Sequence, residues 1–355
     1  VIFETVRSDG FEQIIFCHDP EVSLRAIIAI HSTVLGPALG GCRMWNYNSE
    51  QEALQDVLRL AKGMTYKNSL AGLHWGGAKT VIWGDPKKQK SQAALEKFAM
   101  FVHGLGGRYI TAKDVGINAT DLHMMRAITP FVVGIDGLQG SSGDPSVSTA
   151  WGVYHGMRAV AQFAFGISSL SGLKIALQGL GSVSFSLLEH LCREGAKIIG
   201  CDIEESAIQR ATSRYPIDIV SHDAIYDVEC DIFSPSALGG TINEETLPRL
   251  KTKAIAGAAN NQLSNPTMGR ELLKRKIVYA PDYAINAGGV INIAYENPHE
   301  KTYNLQGSRD HTQKIHDTVL TILERAHETQ TPTHTIADQM AMERILKKQR
   351  STETS

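Results

Sequence analysis

The segment LKIALQGLGSVSFSLLEHLCREGAKIIGCD, residues 173–202, constrains the fold more than any other part of the chain. It reads as an apolar strand (LKIALQ), a glycine turn (GLGSVS), a helix (FSLLEHLCREG) and a second strand (AKIIGCD). Two strands joined through one helix pair in parallel, so the unit predicts a parallel sheet covered by helices. Gly179 lets the turn tighten and Gly181 lets the backbone approach a pyrophosphate, whose charge the following helix N-terminus favours. The third position of the G-x-G-x-x-G pattern holds Ser184, small enough to permit close helix–strand packing. Asp202 follows Gly179 by 23 residues, where a carboxylate accepts the ribose hydroxyls of NAD and repels a 2′-phosphate. The expected cofactor is therefore NAD, with Gly179, Leu180, Gly181, Ser182, Val183, Asp202 and Ile203 as its binding segment. The bland alternative is an ordinary βα turn followed by a surface aspartate. Strand candidates at 217–220, 230–234, 254–258 and 277–280 extend the same sheet.

A chain of 355 residues is long for one hydrophobic core and suits two domains. The Gly/Ser/Asp/Pro-rich stretch GIDGLQGSSGDPSVS, residues 134–148, reads as the junction, with a cleft beside it. Upstream, from LRAIIAIHSTVLGP to RYITAKDVG, β-rich runs alternate with helical patterns. The expected architecture is α/β. An N-terminal mixed-sheet α/β substrate and oligomerisation domain spans 1–140, a Rossmann-type NAD-binding domain spans 141–330, and a C-terminal helix at 335–350 packs back on the first. In the first domain SEQEALQDVLRLAKGMTYK predicts a helix opened by a Ser49/Glu52 capping box, with Leu54, Val57, Leu58 and Ala61 on one face and Lys67 near its end. KKQK at 87–90 reads as a solvated turn, and TAWGVYHGMRAVAQFAFG as a helix that opens at Thr149.

Charged residues make up 20% of the chain and the formal net charge is -2, which gives no broad field for nucleic acid or an anionic membrane. No apolar run reaches 18 residues, and VIFETVRSDG does not read as a signal peptide, so a cytoplasmic location is expected. Five widely spaced cysteines without a C-x-x-C pair, and histidines without ligand spacing, indicate neither disulfides nor a metal.

GLHWGGAKTVI, residues 72–82, places a lysine after a glycine pair. A phosphate loop laid on Gly72 and Gly77 demands lysine at 78, but the sequence has Ala78 and Lys79, so the loop and its lysine cannot converge on one phosphate. Lys67, Lys79 and Asp114 all interrupt apolar runs. Singly each reads as a solvated element end; as a set beside a nicotinamide site they form a reaction centre. A lysine in a partly dry cleft near another cation can act as a base near neutral pH, while a second lysine holds a carboxylate.

LGPALGGCRMW, GMTYKNSLAGLHWGGAKTVI, GRYITAKDVG, SSGDPSVSTAWGV, CDIFSPSALGG, IAGAANNQL and YAPDYAINAGGVIN occur in this order. Together they resemble the glutamate/leucine/phenylalanine/valine dehydrogenase superfamily, and most of all its leucine dehydrogenases, from about residue 3 to about residue 292. The resemblance implies reversible oxidative deamination of an L-amino acid to a 2-oxo acid and ammonia, with hydride transfer to NAD, in a homo-oligomer. It assigns Lys67, Gly40, Gly41 and Asn261 to the substrate carboxylate, Lys79 to the base that activates water, and Asp114 to proton exchange with the amine. Thr149, Ala237 and Asn260 fall on the cofactor side. The glycines and Ala78 then give the substrate close access to Lys79. Departures from the family pattern are Ala78 before the lysine, Lys113 beside Asp114, and Ser182, Ser184 and Ser236, which bear on cofactor affinity more than on reaction type. Trp75 reads as core packing.

Leu39, Ala112 and Val290 are the implied side-chain pocket, and their apolar character favours a branched aliphatic substrate over glutamate, whose second carboxylate would be desolvated without a partner. An L-phenylalanine or other aromatic substrate is the alternative. A different class of reading is a catalytically decayed NAD-binding regulatory protein.

Overall fold

Burial along the strand LRAIIAIHS is nearly continuous, and the sheet built on it carries helices on both faces. The computed structural model describes residues 10–297 and 302–353; the segment VIFETVRSDG lies outside them but for Gly10. Two units are distinguished: Val1–Asp144 with Ile293–Asn304 and Ala341–Ser355, and Pro145–Asn292 with Leu305–Met340.

In the first unit the strands are β1 (Gln13–Asp19), β2 (Leu24–Ser32), β3 (Ala38–Trp45), β4 (Gly76–Trp83) and β5 (Tyr109–Lys113), in the order β1-β2-β4-β3-β5. The sheet is mixed: β1/β2 and β2/β4 are antiparallel, β4/β3 and β3/β5 parallel. Helices α1 (Glu50–Leu70), α2 (Gln92–Gly104) and α3 (Ala119–Ile128) cover it. Ile28, Ile30, Cys42, Ile82 and Tyr109 pack in one core with Phe98, Leu122 and Met125 of α2 and α3. Ile27, Ala29 and Val81 point the other way, into a core with Ala53, Val57, Leu58 and Ala61 of α1. Each such buried side chain contributes about 1.5–3 kcal/mol, against about 1 kcal/mol for a helix cap, so packing more than capping holds α1 in place.

The cap itself differs from the predicted box. Ser49 Oγ accepts from the Glu52 N–H, but the Glu52 carboxylate accepts from the Asn48 N–H at 2.7 Å and not from its own N-cap residue. Leu54 is half-buried at the edge of the face. KKQK is a turn solvated at Lys87, Lys88 and Gln89, as expected, while its last residue, Lys90, donates to Asp121 at 2.6 Å and to the Gly116 carbonyl at 3.1 Å and so pins the turn to the start of α3. One other expectation is overturned. Trp75 is only half-buried, and no core cluster of the described residues includes it.

The second unit is a parallel sheet of β6 (Lys174–Gln178), β7 (Lys197–Cys201), β8 (Ile217–Ile219), β9 (Glu229–Pro235), β10 (Lys251–Ile255) and β11 (Val278–Tyr279), in the order β11-β10-β9-β6-β7-β8. Order reverses between β6 and β9, the switch point at which such sheets bind ligands beyond their carboxyl ends. The expected strand at 254–258 lies earlier, at Lys251–Ile255. Past it the chain leaves the ladder, and Gly257 passes so close to Pro235 that a Cβ there would lie 2.2 Å from the Pro235 carbonyl oxygen. Helix α4 (Pro145–Phe165) also begins earlier than expected: proline suits the first helical turn, so Thr149 lies one turn inside the helix and does not open it. Helices α5 (Ser182–Glu194), α6 (Glu205–Thr212), α7 (Pro266–Lys274), α8 (Asp282–Ile285), α9 (Gly288–Ala294), α10 (Leu305–Gln313) and α11 (Ile315–Thr329) follow. The last helix, α12, runs Thr333–Glu353. From Ala341 onward it belongs with the first unit, where Arg344 donates to the carbonyls of Ser69 and Leu73 and Ser69 Oγ donates to that of Ala341. Among the described residues no helix is long and apolar enough to cross a membrane.

Candidate active site

Side chains alternate across a strand, so register decides which polar groups share a face. Leu39 pairs with Gly77 and Cys42 with Thr80, which sets Gly41 level with Lys79; Gly41 in turn pairs with Ala112. Leu39, Gly41 and Arg43 of β3, Lys79 of β4, and Ala112 of β5 therefore lie on one face, the face that α1 covers farther along. Lys79 is 7% exposed, and its Nζ lies 2.9 Å from Oδ2 of Asp114, the residue after β5. Arg43 Nε donates to the same oxygen at 3.0 Å. Burial alone would raise the Asp114 carboxyl, but the charges of Lys79 and Arg43, the hydrogen bond from Lys79 and that from the Val115 N–H outweigh it and hold the group well below the usual carboxylate range. The contact made by Lys79 is thus with a carboxylate, where the sequence reading emphasised a second cation. Lys113 is exposed.

The glycines around Lys79 serve close packing. A Cβ at Gly77 would lie 2.1 Å from the Thr65 nitrogen of α1, and one at Gly76 would lie 1.9 Å from the Ser32 carbonyl oxygen of β2. Asn68 Nδ2 donates to the Gly76 carbonyl at 2.6 Å, tying the last turn of α1, and with it the half-buried Lys67, to the start of β4. At Gly40 a Cβ would meet the Ala78 carbonyl oxygen at 1.6 Å, and at Gly41 the Asp114 Cβ at 3.0 Å. Leu39 and Ala112 are buried, 1% and 7% exposed.

In the second unit Gly179 follows β6 with φ +97°, and a Cβ there would lie 2.9 Å from Cβ of Ala237, which follows β9. Gly181 caps α5 without a side-chain hydrogen bond, and a Cβ at Gly181 would meet nothing within 4 Å. Both Asp202 oxygens are engaged: Oδ2 accepts from the Leu180 N–H at 2.6 Å and Oδ1 from the Glu204 N–H at 2.9 Å. Beside them is a cavity of about 260 Å³ lined by Gly179, Asp202, Ile203, His222, Ala237 and Leu238, among others. Uncapped helix amides, a carboxylate at the strand end and the exposed apolar side chains of Ile203 and Leu238 fit a dinucleotide. Ser182 is exposed, Val183 half-buried, Leu180 buried, and Ser184 buried with its hydroxyl unpartnered.

Asn261 adopts φ +53°, its N–H donating to Asp282 Oδ2 at 2.7 Å; Asn260 Oδ1 accepts from Asn286 at 2.8 Å. Gly289 lets α9 approach α4, since a Cβ there would lie 2.9 Å from Thr149 Oγ1, and the half-buried Val290 follows it. The sequence reading missed Arg43, His222 and Leu238. Arg43 stands in the quoted GGCRMW run, but only strand order reveals its partner. Among the described residues no cluster of His, Cys, Asp or Glu could hold a metal, and all five cysteines are free.

Residues 12–130 match the Glu/Leu/Phe/Val dehydrogenase dimerisation domain, and residues 204–352 the glutamate/leucine/phenylalanine/valine dehydrogenase domain. The chain is 51% identical over 353 residues to a leucine dehydrogenase of Bacillus cereus, covering 99% of this chain and 96% of that one. It is 44% identical over 346 residues to a phenylalanine dehydrogenase of Caldalkalibacillus thermarum, covering 96% and 92%. Among solved structures, L-tryptophan dehydrogenase from Nostoc punctiforme has a TM-score of 0.85 at 38% identity, covering 98% of this chain and 100% of that one.

Proposed function

The chain belongs to the glutamate/leucine/phenylalanine/valine dehydrogenase family and is an amino acid dehydrogenase; from that premise we propose that it catalyses NAD-dependent, reversible oxidative deamination of a branched-chain L-amino acid to the 2-oxo acid and ammonia. The observation that carries this reading is the 2.9 Å contact between Lys79 and Asp114 on a face shared with Ala112 and Leu39.

Lys67 holds the substrate carboxylate, with the backbone of Gly40 and Gly41 beside it. Asp114 takes a proton from the substrate ammonium, leaving the neutral amine. Gly179, Gly181, Asp202 and their neighbours would hold NAD, with Thr149 at the nicotinamide carboxamide and Ala237 and Asn260 lining the cofactor side, and NAD when bound would supply the acceptor for the hydride of the α-carbon. Lys79, in its neutral form, then takes a proton from water as the water oxygen bonds to the imine carbon. Asp114 returns its proton to nitrogen, and as the C–N bond breaks and ammonia leaves, the freed Asp114 carboxylate takes the hydroxyl proton and the carbonyl forms.

The apolar character of Leu39 and Ala112, on one face of the first unit's sheet, favours an aliphatic side chain, and since one methylene is worth about 1–3 kcal/mol, leucine, valine and isoleucine overlap as substrates. An aromatic substrate is the second reading, favoured by the small volume of Ala112. The match of residues 12–130 to a dimerisation domain supports a homo-oligomer, and the absence of membrane-crossing helices among the described residues is compatible with a cytoplasmic enzyme. An NADH absorbance screen of L-amino acids, with the matching 2-oxo acids and ammonia in reverse, tests the proposal. Turnover highest with leucine or its neighbours is expected; cofactor binding without turnover of any amino acid would overturn it.

A further inference from the structure

Arg43 has a role in neither the sequence reading nor the mechanism above, yet it links the reaction face to helix α1. Its Nε lies 3.0 Å from Asp114 Oδ2, and its Nη1 lies 3.0 Å from Asp56 Oδ2. Asp56, on α1, also accepts from Tyr47 Oη at 2.7 Å and from Arg59 Nη2 at 2.8 Å. The guanidinium is therefore gripped on both sides by carboxylates, one of which is itself held by two further donors. Its side chain is 21% exposed and that of Asp56 14%, so the chain is largely withdrawn from water. Lys79 reaches the same Asp114 oxygen through a flexible stem and can leave it; the planar fork of Arg43, fixed at both ends, cannot leave without losing Asp56 too. Both side-chain cations converge on Oδ2.

We infer that Arg43, anchored through Asp56, is a positioning residue: it fixes the Asp114 carboxylate by Oδ2 and remains its counter-charge when Lys79 turns to the substrate's water. This rests on the reading of Asp114 as the group that exchanges protons with the amine. Without Arg43, departure of Lys79 would leave a largely buried carboxylate without a cation, at a cost that favours its protonated, inactive form. The other groups around Asp114 do not substitute. Burial keeps the Cys42 thiol and the Tyr109 phenol neutral, Asp121 on α3 is paired with Lys90, and Lys113 is exposed.

The test is the pH dependence of kcat and KM for the full chain and its Arg43→Gln, Arg43→Lys and Asp114→Asn variants. Arg43→Gln is expected to move the acid limb of kcat upward by about one pH unit or more, because the carboxylate loses a contacting cation. Arg43→Lys keeps the charge and loses the fork, so its limb stays near that of the unmodified protein while plateau kcat falls about tenfold or more from misplacement. A folded Arg43→Gln variant with an unmoved acid limb would overturn the inference. Should that variant not fold, Arg43→Lys with unchanged kcat would overturn it. Full turnover in Asp114→Asn would instead remove the assignment of Asp114, and is thereby distinguishable.

Discussion

Lys79 and Asp114 meet across a strand that separates them: β3 lies between β4 and β5, and at the crossing point it carries Gly41. A Cβ at that position would lie 2.8 Å from the Lys113 carbonyl oxygen and 3.0 Å from the Asp114 Cβ, so glycine there leaves room for the segment that carries Asp114 to its 2.9 Å contact with Lys79.

Gly41→Ala is accordingly expected to displace Asp114, whose Cβ lies 3.0 Å from the site of the added methyl. A misplacement near 1 Å costs on the order of 10²-fold in rate. Steady-state kcat, with thermal unfolding to confirm an intact fold, checks it; unchanged kcat would mean that the pair tolerates the displacement.

Lys79→Ala is expected to lower deamination by about 10²–10⁴-fold, the contribution of a general base, while NAD affinity stays nearly constant. The lysine belongs to the first unit and the glycine turn to the second, so loss of chemistry without loss of cofactor binding is the signature. Turnover at the unmodified level would end the assignment.

Asp202→Ala is expected to weaken NAD binding and narrow the preference over NADP, since it removes the ribose acceptor and the charge that repels a 2′-phosphate. The structure adds a second cause: the Leu180 and Glu204 N–H groups lose their acceptor, so the glycine turn loosens as well. Asp202→Asn separates the two, keeping an acceptor oxygen without the charge. Dissociation constants for both cofactors in the two variants provide the check.

Ala112→Leu is expected to depress phenylalanine turnover more than valine turnover, by filling volume that a ring needs beside Leu39. The ratio of kcat/KM values for the two substrates measures it. An equal loss for both would place the pocket elsewhere.

Acid stability supplies a test independent of catalysis. Burial, then the nearby charges of Arg158, His316 and His190, push His155 down to about 4 from its ordinary 6.5. A group whose pKa is depressed in the fold contributes stability above its unfolded value and loses it as pH falls through the folded one. Stability should therefore decline between about pH 6.5 and about pH 4, by on the order of 3 kcal/mol from this residue. His155→Phe should flatten the decline in denaturant titrations across that window; an unchanged slope would assign it to other groups.

The parallel sheet, the strand–glycine turn–helix–strand unit ending at Asp202 and the amphipathic face of α1 were legible in the sequence because each is written in residues close along the chain. Apolar period, glycine spacing and a strand-end carboxylate are local signals, and Ile175–Leu177, Gly179 and Val57–Leu58 carry them. Lys67, Lys79 and Asp114 were legible as identities through motif resemblance, not as an arrangement. Their arrangement depends on strand order, which places β4 beside β3 and β3 beside β5 out of sequence order, and no local period encodes that. Tertiary structure alone set Gly41 against the Lys113–Asp114 segment, brought Lys79 to Asp114, turned Gly76 and Gly77 into packing contacts for β2 and α1, and joined Lys90 to Asp121. It also brought Arg43, unremarkable in its own strand, between Asp114 and Asp56. These pairings are nonlocal, and they form only where packing of the two cores brings distant strands and helices into contact.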